Sequence, residues 1–203
     1  MALRHQSNDS LETQAAAFLD ANAKGTYDGR ALRIESVIEK LGYIIFPVPG
    51  LVEIADAYIP IKAGYIFVDE DQYLNGSFRW RFSLAEELAH LLIHRPLFDG
   101  KSVAEIVAFQ QALTEQEYLR IEREAKYLAG CLLMPRAVFQ ERFAQFLEIQ
   151  SQQTPNSLAV LKFVIRQLSM DFHVSCYCVA LRALHLHLID QQQLGELIEA
   201  SGW

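Results

Sequence analysis

Four side chains in the stretch RFSLAEELAHLLIHR, residues 81–95, are spaced so that they could do chemistry together. Glu86, His90 and His94 recur every four residues, which on a helix of 3.6 residues per turn places them along one face. Glu87 stands beside that file. In the pattern H-E-x-x-H, two histidines one turn apart hold zinc and the glutamate after the first takes a proton from water. This chain reads E-E-x-x-H: Glu87 has the base position, His90 the second ligand position, and a carboxylate, Glu86, the first. A frame that pairs His90 with His94 puts Leu91 where the base belongs and would suit only a structural ion. The plain alternative is a solvated helix face, where a Glu–His pair one turn apart is worth only about 0.2–0.5 kcal/mol.

A second stretch, IEREAKYLAGCLLMP at residues 121–135, also reads as a helix. Ala125 and Ala129 lie on its packing face and allow a neighbouring helix to approach closely. Glu122 and Glu124 are the carboxylates that could reach a metal held there. Alternatively both are exposed early-helix acids that complement the helix dipole.

The elements that must position these residues follow from the apolar pattern. Asp9 opens a helix marked by Leu11, Ala15, Phe18 and Leu19, with Glu12 able to complete its cap. Ile34, Val37, Ile38 and Leu41 mark a second, stopped by Gly42. Residues 43–46 read as a strand ended by Pro47. Residues 58–61 and 65–68 read as a hairpin around Gly64, with Pro60 confining its strand to a sheet edge. From Ser77 the pattern turns helical, with a first helix ended at Arg95-Pro96. Thr114 and Glu117 form a capping box opening the helix that runs to Met134-Pro135. Pro135 can start the next helix, through Val138, Phe143 and Phe146. Residues 151–156 are a polar linker, followed by helices near 157–168 and 175–184. The expected division is 1–150 and 151–203.

Composition limits the classes of function. The 203 residues are 51% hydrophobic and 21% charged, which excludes a disordered chain. A net charge of −7 argues against a protein that coats nucleic acid. The most apolar stretch, residues 41–61, is interrupted by Pro47, Pro49, Gly50, Glu53, Asp56 and Pro60, so no membrane span is expected. The polar opening MALRHQSNDS predicts no signal peptide. Three cysteines, with Cys176 and Cys178 too close for a relaxed disulfide loop, suggest a reduced, cytoplasmic protein.

Taken together, RFSLAEELAHLLIH and EREAKYLAGCLLMP resemble the ImmA/IrrE family of metallopeptidases, whose hallmarks are R-F-T-L-A-H-E-x-x-H-x-x-x-H and E-x-x-A-x-x-F-A-x-x-L-L-M-P. RIESVIEKLGYIIFPVP and AGYIFVDEDQY resemble the family's helix-strand beginning and the strand entering its metal helix, so the likeness runs from Arg33 to Pro135. It implies an α+β fold: a mostly helical, zincin-like core with a small antiparallel sheet, plus a C-terminal helix-turn-helix-like region. It implies His90 and Glu122 as zinc ligands, with Glu124 the alternative to Glu122, Glu87 as general base, and His94 near the metal. Glu86 departs from the family's first histidine. An oxygen-richer set of Glu86, His90 and Glu122 would weaken the Lewis acid and shift preference from zinc towards Mn²⁺ or Mg²⁺. The implied activity is metal-dependent endopeptidase action on a helix-turn-helix transcriptional repressor, in stress response or mobile-element regulation. The alternative is a catalytically impaired domain that only binds its regulatory partner. Direct DNA binding is not expected of the C-terminal pair, because Lys162, Arg166 and Arg182 are nearly cancelled by Asp171 and Asp190.

Overall fold

A computed structural model describes residues 5–51, 57–58, 64–75, 78–95 and 102–201. Helix α1, Asn8–Asn22, is capped by the Ser7 hydroxyl, which accepts the Ser10 N–H. Asp9 therefore sits in the first turn rather than at the cap, and Glu12 is not a capping residue. The Glu12 carboxylate turns inward to Arg182 at 2.6 Å, because a buried guanidinium binds it more strongly than a solvated helix end.

Strands β1, Tyr27–Asp28, and β2, Ala31–Leu32, form a short antiparallel pair. Helix α2, Ile34–Lys40, buries Ile34, Val37 and Ile38, and the chain leaves it through Gly42 at φ 84°, where a side chain would be strained. Strand β3, Ile44–Val48, then pairs with β5, Tyr65–Asp69, and β5 pairs with β4, Ala57–Tyr58. Two expectations change here. The strand does not stop at Pro47, which is in register with Val68. As an edge strand, β3 tolerates a residue without an N–H. The sheet is also mixed rather than wholly antiparallel: β4–β5 is antiparallel, but β3 runs parallel to β5. The reason is that the chain reverses twice between them, once into β4 and once into β5. Pro60 and the turn before Gly64 lie outside the described residues.

The rest is helical: α3, Glu70–Leu74; α4, Phe78–Ile93; α5, Val103–Ala112; α6, Glu115–Leu133; α7, Arg136–Ser151; α8, Ser157–Phe172; α9, Cys176–His185; and α10, Gln191–Ser201. The α+β, mostly helical reading holds. The Thr114–Glu117 capping box forms as expected, with Thr114 accepting the Glu117 N–H and Glu117 accepting the Thr114 N–H. Pro135 occupies the N-cap of α7, and Asn156 and Ser175 cap α8 and α9. Among the described residues, no helix is long and apolar enough to cross a membrane.

Helices α4 and α6 form the centre of the molecule. Leu84, Ala85, Leu88 and Ala89 of one and Ala125, Leu128, Ala129 and Leu132 of the other are all fully buried. The alanines let the backbones approach, and each buried leucine contributes about 1.5–3 kcal/mol relative to exposure. The same apolar core continues through Val164, Leu168, Phe172, Val179 and Ala183 of α8 and α9. Two buried arginines tie the C-terminal pair to the rest. Arg81, at the start of α4, donates to the His173 carbonyl at 3.1 Å in the α8–α9 turn, and also to the Leu32 carbonyl. Arg182 of α9 donates to both Glu12 oxygens and to the Met134 carbonyl.

Candidate metal centre

The polar faces of α4 and α6 meet at one end of this tight packing. One donor atom each from Glu86, His90 and Glu122 lies within 4.8 Å of the others. Glu86 and His90 are brought together by their spacing on α4, and Glu122 arrives from α6 because Ala125 and Ala129 let the two helices close. His90 Nε2 stands 3.7 Å from Glu122 Oε1. In a tetrahedral zinc site with ligand lengths near 2.0–2.2 Å, neighbouring donors are separated by about 3.4 Å. The three donors are therefore within a small side-chain adjustment of a shared cation, and two carboxylates with one imidazole are a chemically suitable set for a divalent ion.

Glu87 lies in the same cluster. Burial, and then the charges on Glu86 and Glu122, push its carboxyl up to about 7. That is the direction a general base needs to exchange protons near neutral pH. Burial holds the His90 imidazole below its usual range, with Glu122 opposing the shift and Lys126 adding to it. A neutral imidazole is the form that can ligate.

His94 and Glu124 occupy a different layer. His94 Nδ1 is 2.9 Å from His90 Nδ1, so these two rings bond to each other rather than offering a shared pair of ligand nitrogens. His94 is buried, and burial followed by the neighbouring His90 lowers its pKa to about 4. Among the described residues its Nε2 has no hydrogen-bond partner, and it faces Glu124 Oε2 at 3.9 Å. Glu124 accepts from His5 Nδ1 at 2.9 Å and from the Gln6 backbone N–H at 3.1 Å. The structure thus separates the two α6 acids: Glu122 joins the Glu86–His90 cluster and Glu124 does not.

The family model of the IrrE N-terminal-like domain, peptidase family M78, matches residues 56–184. The chain belongs to that family. The match extends through α8 and nearly all of α9, so the M78 region includes the C-terminal pair held by Arg81 and Arg182. A solved Mycobacterium tuberculosis transcriptional regulator has the same fold, with a TM-score of 0.57 and 18% identity over 87% of this chain and 48% of that one. The chain thus spans about half the length of that regulator. No curated protein matches the chain.

Two participants escaped the sequence reading. Lys126 Nζ lies 3.7 Å from Glu86 Oε1 and gives the carboxylate cluster a facing cation. Its spacing of four from Glu122 was a legible signal. The His5–Gln6 segment meets Glu124 across more than a hundred residues of chain, and nothing local in the sequence marks that contact.

Proposed function

We infer that this M78 domain is a metal-dependent endopeptidase, and that its substrate is a helix-turn-helix transcriptional repressor in the cytoplasm. The observation that carries this reading is the convergence of Glu86, His90 and Glu122 beside a half-buried Glu87 poised near neutral pH. Glu86, His90 and Glu122 would hold the ion, zinc first and manganese as the oxygen-tolerant alternative. When bound, the ion supplies a Lewis acid for the scissile carbonyl and lowers the pKa of water at the site. Glu87 takes the proton of the attacking water and returns it to the leaving amine. Its raised pKa makes both transfers feasible at pH 7. His94 fixes the His90 ring so that Nε2 faces Glu122. Residues 1–150 carry this chemistry, and residues 151–203 brace α4 through His173 and line the approach for a folded substrate.

A second reading is favoured by one contact. Lys126 pairs with Glu86, and an ammonium there neutralises the departing carboxylate without any ion. In that case the domain binds the repressor and cuts nothing. Metal content of the purified chain by mass spectrometry, beside a chelator-treated control, separates the two. The peptidase reading expects about one zinc or manganese per chain and repressor cleavage that the chelator abolishes. A chain that takes up neither ion and retains the repressor intact would leave the binding module as the answer.

A further inference from the structure

The two rings joined at His90 and His94 can share their proton in only two neutral arrangements, because both nitrogens at the 2.9 Å contact are Nδ1. In one, His90 Nδ1 donates, His94 carries its proton on Nε2, and His90 Nε2 presents a lone pair towards Glu86 and Glu122. In the other, His94 Nδ1 donates, His90 Nε2 carries a proton, and His90 cannot ligate. Each arrangement is favoured by a different carboxylate. Glu122 Oε1, 3.7 Å from His90 Nε2, attracts a proton there. Glu124 Oε2, 3.9 Å from His94 Nε2, attracts a proton at the other end.

The distances are nearly equal, so burial decides. The Glu124 and His94 side chains are 7% and 8% exposed, whereas those of Glu122 and His90 are 25% and 24% exposed. An interaction shielded from water is stronger than the same interaction at a solvated mouth. Lys126 also acts against positive charge at His90, while Glu124 is held in place by His5 and the Gln6 N–H. We propose that Glu124 is a positioning residue: acting through His94, it fixes the tautomer that leaves His90 Nε2 free to bind a metal. The buried His94 Nε2, which has no hydrogen-bond partner among the described residues, is the proton-bearing atom of that device.

This inference rests on the metal-site reading for its purpose but not for its test. Long-range proton–nitrogen NMR spectra of the metal-free chain, with nitrogen-labelled histidine, read each tautomer directly. The expected result is His90 protonated on Nδ1 and His94 on Nε2. The variant Glu124→Gln sharpens the test. The Gln6 backbone N–H can only donate, so it keeps the substituted carbonyl oxygen at the Oε1 position and turns the amide NH₂ towards His94. His94 must then present a lone pair at Nε2, and both tautomers reverse. Zinc affinity, measured by calorimetry, should fall about tenfold or more, in line with the loss of other groups that orient a ligand. A wild-type chain with His94 protonated on Nδ1 would overturn the proposal, and so would reversal failing in Glu124→Gln. Should the wild type show the expected tautomers but bind no zinc, the metal-site reading fails while the tautomer assignment stands.

Discussion

Two charged clusters sit between helices in this protein, and they are built on opposite rules. Around Arg182, the charges close on one another. Its guanidinium meets both Glu12 oxygens, the Met134 carbonyl and the Cys131 thiol, while Tyr127 also donates to Glu12. Around His90, the carboxylates of Glu86, Glu87 and Glu122 lie close together, Lys126 pairs with Glu86, and the half-buried Glu87 has its pKa raised rather than lowered. Burial alone would raise the Glu12 carboxyl too, but the Arg182 hydrogen bond and charge, with Arg136 and Tyr127, bring it below its ordinary value. A cluster that holds a fold together satisfies its charges. The His90 cluster instead gathers carboxylates around an imidazole, which is the donor set a divalent cation would complete.

The contrast can be broken most sharply at Glu87. Replacing it with glutamine should cut hydrolysis of the repressor by about 10²–10⁴-fold while leaving zinc affinity nearly unchanged, since an amide cannot take the water's proton. Full proteolysis by that variant would exclude the proposed chemistry. At the closed cluster, Arg182→Met should destabilise the fold by about 3–5 kcal/mol, because it leaves the Glu12 carboxylate buried without its main partner. Denaturant unfolding measures it, and a loss below about 1 kcal/mol would show that Arg136 suffices.

The two clusters should also respond oppositely to pH. In metal-free protein, Glu87 holds its proton up to about 7 in the folded chain against 4.5 in the ordinary carboxyl. Below 4.5 both states are protonated and nothing is lost. Between 4.5 and 7 the folded state keeps a proton that the unfolded state has released, so stability falls as pH rises, by about 3 kcal/mol in all. Glu12 has the opposite sign: its lowered pKa adds stability that disappears as pH falls through the folded value. Unfolding curves from pH 4 to 8 with chelator present should show the Glu87 slope, and Glu87→Gln should remove it. The smallest expected effect is at the departure from the family pattern. Glu86→His should tighten zinc binding about tenfold by calorimetry, since it exchanges an anionic oxygen for an imidazole. Its gain in metal-free stability is limited because Lys126 loses a partner. Equal zinc affinity in both forms would make Glu86 an adequate ligand as it stands.

Much of this molecule was written in local sequence. The four-residue spacing of Glu86, His90 and His94 fixes them on one helical face, because the 3.6-residue turn allows nothing else. The capping box at Thr114, the glycine at 42 and the alanines of α6 are equally local, and with them the helices that build the cluster were legible. What escaped depends on partners far away in the chain. Glu12 fits a cap by position but serves Arg182, 170 residues on. Pro47 looks like a strand end but lies on an edge where its missing N–H costs little, and edge position is a property of the finished sheet. Glu122 and Glu124 are two residues apart on one helix, with the same chemistry. Only the packing of α6 against α4 on one side and the His5–Gln6 segment on the other turns one towards His90 and the other behind His94. Residue type and period belong to the chain, whereas the choice between two identical side chains is made by the neighbours that folding brings to each.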